Sequence, residues 1–160
     1  MNWNIEVGTT FTNKDIDAKA LREHMQREYK PGYSGYDNTE YGLIAERYLM
    51  EKCGYTDDTD DYKDVFSPDG KSVEVKTFSS YREADEYKQN VLHNYTKSVD
   101  GRTSLWERKV MWNKDVSDYV IFFERTGRIE RGSDYTIAYV CDEMFEWDSE
   151  INRYKSVYKR

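Results

Sequence analysis

Apolar residues recur along the chain at strand and helix spacings, and each spacing predicts an element. From Ser72 to Lys76 alternation is strict: Val73 and Val75 face one way, Glu74 and Lys76 the other. Asp64-Val65-Phe66 precedes this run, and Pro68-Asp69-Gly70 lies between, with Pro presetting φ and Gly supplying a positive φ. Together they predict a β-hairpin. Tyr119 to Phe123 is almost continuously apolar and predicts a central strand buried on both faces. Tyr135 to Val140 predicts another strand, and Arg102 to Trp112 alternates loosely enough for one more. Helical spacing of Ile16, Ala20 or Leu21, Met25 and Tyr29 predicts a helix over residues 14–30. Thr12 or Asn13 caps it, Asp15 sits in its first turn, and Pro31-Gly32 ends it. A second helix runs from a cap at Asn38 or Thr39 to Cys53 and stops at Gly54, with Tyr41, Ile44, Ala45, Tyr48 and Leu49 as its stripe. Leu43 and Met50 lie on its far side, so much of its surface is expected to be buried, and Gly42 is expected to admit a close neighbour. Ala84, Tyr87, Val91, Leu92 and Tyr95 predict a third helix over 81–97. A short helix is expected from Asp142 through Phe145, Trp147 and Ile151. Trp3, Ile5 and Val7 suit a short strand or a packed arm, and residues 31–38 and 55–61 read as loops.

At 160 residues the chain is expected to form one domain, large enough to bury about 68–70% of its unfolded surface. Aliphatic residues are modest in number, but fifteen tyrosines can fill the core while their hydroxyls stay at its edges. No apolar run is long enough to span a membrane and no signal peptide opens the chain, so an intracellular, cytoplasmic setting is expected, with no membrane partner. Cys53, Cys141, His24 and His93 are isolated from one another, which argues against a zinc site or a disulfide scaffold. The net charge of −7 argues against a protein that coats nucleic acid by charge alone. It leaves room for a metal site, because the acids cluster: Asp57, Asp58, Asp60, Asp61 and Asp64. Residues 151–160 carry Arg153, Lys155, Lys159 and Arg160 with no acid, a basic tail that can grip a phosphate backbone or fray.

The hairpin concentrates chemistry. It brings the start of its first strand beside the end of its second, so Asp64 should lie near Glu74 and Lys76. Mg²⁺ takes oxygen ligands, commonly one or two carboxylates with waters and substrate phosphate, and Asp64 and Glu74 can supply the carboxylates. Such a metal polarises a phosphodiester and lowers the pKa of water, while Lys76 can orient that water or offset charge growing on the phosphate. Asp61 rivals Asp64 as first ligand, but Asp64 leads directly into the strand. The plainer reading is a half-exposed hairpin whose polar residues face water. Glu46, at the edge of the second helix's stripe, either reaches the site or pairs on the surface with Arg47. Contacts to nucleic acid are expected from Lys88 on the polar face of the third helix, from Arg108, Lys109 and Lys114, and from Arg128 and Arg131 in a turn. Loop arginines of that kind are as often simply solubilising.

Asp64 followed by Glu74-Val75-Lys76 resembles the motif of the PD-(D/E)xK nuclease superfamily, with Lys63 where the name-giving proline would stand. The resemblance spans about residues 39–125, with Glu46 in Tyr-Gly-Leu-Ile-Ala-Glu-Arg-Tyr-Leu on the preceding helix and Ser117 to Phe123 as the strand after the hairpin. It implies a restriction-endonuclease-like α/β fold: a mixed central sheet flanked by helices, with an α-β-β-α-β core over about 39–141. It also implies a Mg²⁺-dependent DNA endonuclease, with Mn²⁺ able to substitute, acting on double-stranded or branched DNA. The Val75 carbonyl would be an added metal ligand and Glu46 a support for that ion or a second one. The motif does not choose among restriction, homing, junction-resolving and phage DNA-processing roles. One site per short chain nicks one strand, so a homodimer or higher homo-oligomer is expected for a double-strand cut. The competing reading is a catalytically inert nuclease-like fold that binds DNA or protein; RNA cleavage has no motif to support it.

Overall fold

The computed structural model describes residues 2–28, 36–57, 64–79, 88, 92, 117–126, 136–151 and 153–160. Its strands are β1 (Thr10–Thr12), β2 (Thr56–Asp57), β3 (Val65–Phe66), β4 (Ser72–Ser79), β5 (Tyr119–Thr126), β6 (Ala138–Asp148) and β7 (Arg153–Lys159), and its helices are α1 (Ala18–Glu28) and α2 (Tyr36–Lys52). The strands form a mixed sheet in the order β1-β6-β5-β4-β3-β2, with β7 also paired to β6. The result is a mixed α/β protein.

The apolar pattern explains this arrangement. Tyr119 to Phe123 are all buried, because β5 lies in mid-sheet with apolar layers on both sides. On one face Ile44, Ala45 and Leu49 of α2 pack against Val73, Val75, Ile121, Phe123 and Tyr139. On the other, Phe78, Val120, Phe122, Phe145 and Tyr154 form a smaller cluster. β4 and β5 are parallel, with Glu74 beside Val120 and Lys76 beside Phe122. A parallel pair needs a long crossover, usually helical. Lys88 and Leu92, within the connecting stretch, are helical. The rest of the expected third helix and the expected strand at 102–112 lie outside the described residues.

Several expectations shift. Thr12 does cap a turn, but a short 3-10 one at Asn13–Asp15, where a capping box forms. α1 starts afresh at Ala18, its first amides held by Asp17: Lys19 N and Ala20 N donate to Oδ1 at 2.8 and 3.0 Å. α2 begins at Tyr36, ahead of the expected cap, and is followed by Gly54 with φ +76°. Among the described residues nothing lies within 4 Å of where a Cβ on Gly42 would sit. Trp3 and Ile5 are buried as an arm rather than a strand, with the Trp3 ring stacked on Tyr119. The expected loop after Gly54 holds a buried Tyr55 and the edge strand β2.

The expected helix from Asp142 is the long strand β6, and the tail beyond it is β7. Phe145 and Trp147 are two apart, and that period belongs to a strand face. Both pack with the Phe122 cluster. The strand expected from Tyr135 starts at Ala138 instead.

Candidate active site

A tight turn fixes the hairpin. Gly70 N donates to the Ser67 carbonyl at 2.9 Å and Ser67 N to the Lys71 carbonyl at 2.8 Å. Lys71 N also donates to Ser67 Oγ at 3.1 Å, and Gly70 adopts φ +77°, a conformation that costs little only for glycine. The Ser67 hydroxyl donates to Asp69, and this bond holds the Asp69 carboxyl below the usual carboxylate range.

From that turn the register follows. Val65 pairs with Val73 and Phe66 with Ser72, so the next position outward sets Asp64 across from Glu74. The Asp64 side chain accepts from Val75 N, at 2.7 Å to Oδ2. A strand residue presents its N–H and C=O along the same edge, so the Val75 carbonyl also looks toward the Asp64 side. Glu74 is only 7% exposed. Its Oε1 lies 2.6 Å from Lys76 Nζ, on the face the two residues share. The structure thus sets the Asp64 carboxylate on the Val75 amide and the Lys76 ammonium on the Glu74 carboxylate.

Groups from β5, β6 and β7 brace this corner. Ser72 N and Oγ each donate to Asp118 Oδ2 at 3.0 Å, and Asp118 N donates back to Ser72 Oγ at 3.0 Å. Trp147 N donates to the Asp118 carbonyl at 2.8 Å. Tyr154 Oη donates to the Ser117 carbonyl at 2.6 Å. Burial first, then the nearby Glu74 and Asp118 charges, push the Tyr154 phenol far above its ordinary pKa, so it stays a neutral donor. The sequence analysis missed Ser72, Asp118 and Tyr154 as parts of the site. Tyr154 had a signal, since Tyr154, Ser156 and Tyr158 alternate; the Ser72–Asp118 clasp joins residues 46 apart and had none.

Asp64 and Glu74 carry carboxylates and Val75 a carbonyl, the oxygen donor types that Mg²⁺ takes. Glu74 is nearly dry and, among the described residues, pairs with the Lys76 ammonium. Among the described residues no three His, Cys, Asp or Glu side chains converge on a metal-sized point. Glu46 therefore does not complete a triad. It rides on α2, on the face opposite Glu74, and its Oε2 lies 4.0 Å from the buried His24 Nε2 of α1.

Lys88 is corrected as a DNA contact. It is 6% exposed, with Nζ over the Phe78 ring at 4.4 Å, bonded to Asp142 and 3.5 Å from Glu143 Oε2. A bulge in β6 explains the pair of acids: Phe122 registers with Glu143 but Phe123 with Cys141, leaving Asp142 as the extra residue. Arg125 is half-buried and stacks on Tyr41, its guanidinium 3.8 Å from the ring centre. Asp61, Arg108, Lys109, Lys114, Arg128 and Arg131 lie outside the described residues.

Comparison of the chain with protein-family models, with curated proteins and with solved structures finds no match. No helix among the described residues is long and apolar enough to cross a membrane.

Proposed function

We propose that this protein is a metal-dependent DNA endonuclease of the PD-(D/E)xK type, with the hairpin as its catalytic centre. One observation carries the reading: the Asp64 carboxylate accepts from the amide of Val75, the residue between a buried Glu74 and Lys76, whose ammonium lies 2.6 Å from Glu74. The order of elements adds support, since α2, the hairpin β3–β4, helical residues in the crossover and the parallel strand β5 follow the α-β-β-α-β sequence that the motif implies. Mg²⁺, or Mn²⁺ in its place, would supply Lewis-acid polarisation of the phosphodiester and a lowered pKa for water. Asp64 and Glu74 would hold that ion, with the Val75 carbonyl on their edge. The Lys76 ammonium, once released from Glu74, is placed to orient the attacking water and to offset charge growing on the phosphate. A homodimer would place one such centre on each DNA strand.

The Glu74–Lys76 pair also favours a second reading. The two charges already satisfy each other at 2.6 Å, as an inert nuclease-like binding module would need. Supercoiled plasmid incubated with Mg²⁺, with Mn²⁺ and with EDTA separates the two. The nuclease reading expects metal-dependent nicking that falls by about 10²-fold or more in Lys76→Ala, a typical loss for a group acting on proton transfer. Asp64→Asn should lose cleavage and the rise in melting temperature that Mn²⁺ confers on the wild type. Folded Asp64→Asn and Lys76→Ala proteins that cut as well as wild type would end the proposal.

A further inference from the structure

Two buried donors on the α2 side of the sheet lack an acceptor. Among the described residues the Tyr139 hydroxyl and Arg125 Nε have no hydrogen-bond partner. Tyr139 is 0% exposed and Arg125 is half-buried. Buried polar groups are almost always hydrogen-bonded, so a pair of exceptions at one place points to an absent acceptor.

The register sets the two side by side. Arg125 of β5 pairs with Tyr139 of β6, so both side chains leave the same face, about 5 Å apart at Cβ. The Tyr139 ring is stacked on Phe11 at 5.0 Å. The Arg125 guanidinium lies over the Tyr41 ring, and among the described residues it forms no ion pair. Stacking covers the flat face of a guanidinium and leaves its rim of N–H donors open. Tyr41 is the sixth residue of α2. Helical side chains lean toward the helix N-terminus, so this contact lies near the positive end of α2, where anions are favoured. The parallel strands β4 and β5 also finish here, at Ser79 and Thr126. Ligands of open parallel sheets sit beyond such carboxyl ends.

We propose that Arg125, Tyr139 and the N-terminal end of α2 form a binding site for a phosphate group. The donors come from three elements, β5, β6 and α2, and so do not lie in one plane. A tetrahedral phosphate presents oxygens in several directions, where a flat carboxylate presents two. The guanidinium fork takes two of those oxygens, and the phenol takes a third. Burial drives the Tyr139 phenol far above its ordinary pKa and the Arg125 charge pulls it back, so the group stays a neutral donor. Arg125 is half-buried, so an ion arriving from solvent meets the guanidinium first, with the phenol behind it. Glu40 is the opposing charge: it too acts on the phenol, and Glu40→Gln should tighten binding. The site lies across the sheet from Glu74 and Lys76 and does not depend on the nuclease reading.

The test uses thermal melts and calorimetric titration with inorganic phosphate, in EDTA and at constant ionic strength, with acetate as the flat control. Phosphate should stabilise the wild type saturably, and acetate should bind about tenfold more weakly or less, the worth of one charge-assisted hydrogen bond. Arg125→Gln should weaken phosphate by about tenfold or more on the same ground. Arg125→Lys keeps the charge without the fork and should lose most of the same affinity, which covers the case of an unfolded Gln variant. Tyr139→Phe should move two readings in opposite directions. Its melting temperature without phosphate should rise, because an unbonded hydroxyl leaves the core, while its phosphate affinity falls. A 5′-phosphorylated oligonucleotide that outbinds its 5′-hydroxyl twin through Arg125 would place the phosphate on a strand end; equal binding of the twins would leave a free phosphate or a small ester. No saturable phosphate response in the wild type would overturn the proposal. So would an equal response in Arg125→Gln, or a Tyr139→Phe protein that melts lower without phosphate and binds it as tightly as wild type.

Discussion

Lys88 brings a full positive charge into a site that is 6% exposed, over an aromatic ring and against Asp142 and Glu143. Breaking such a buried pair from one side leaves uncompensated charge and typically costs about 3–5 kcal/mol. Lys88→Ala should accordingly lower the urea midpoint steeply, whereas a lysine serving only DNA would leave it in place. From the sequence, Lys88 looked like the solvated side of a helix, because helical spacing says which residues share a face and not what that face meets. Glu74 and Lys76 were legible for the opposite reason: their placement depends on a turn and a period of two, both local. Cys53 and Cys141 give a pH-dependent case. Burial pushes their thiols up to about 11 and about 12, from an ordinary 9.0. The folded protein therefore holds protons that the unfolded chain releases above about pH 9, so this share of stability is complete below pH 9 and is lost as pH rises toward 11 or 12. Native protein at pH 8 should resist thiol-labelling reagents, and urea should expose both thiols together.

At the scale of elements, the corner of the site depends on how β4 is held against β5. The Ser72–Asp118 clasp sets that register two residues before Glu74. Asp118→Ala strips acceptors from the Ser72 amide and hydroxyl, and loss of such bonds costs about 1–3 kcal/mol. Asp118→Asn keeps an acceptor in the same place and should recover most of that loss. Thermal melts of the two variants check the difference, and equal losses would mean that the carboxylate charge, not the bond geometry, holds the corner. The element readings that failed did so for identifiable reasons. Phe145, Trp147 and Ile151 fit a loose helical stripe, yet Phe145 and Trp147 at a spacing of two fit a strand better. The bulge that turns Asp142 and Glu143 toward Lys88 adds a residue within β6, and no local composition marks it. The edge strand at Thr56–Asp57 is two residues long, too short for any period to announce.

Among the described strands, β6 joins the most neighbours, since β5, β1 and β7 all pair with it. Along one edge, β7 runs from Asp148 down to Glu143, Arg160 N donates to the Asp142 carbonyl at 2.8 Å, and Gly8 N donates to the Cys141 carbonyl at 2.7 Å. β1 then takes over from Val140 to Ala138. Residues 153–160 and 8–12 thus lie end to end as one interrupted strand, which suits the protein to splitting. A chain ending at Ile151 would keep β1 in place as a template for the vacated stretch of β6. A synthetic peptide of residues 152–160, added in trans, should dock there by strand addition and return Tyr154 to Ser117. Recovered near-ultraviolet dichroism at a saturable peptide concentration would show that the seam is a working joint, and a Tyr154→Ala peptide should fail to restore it.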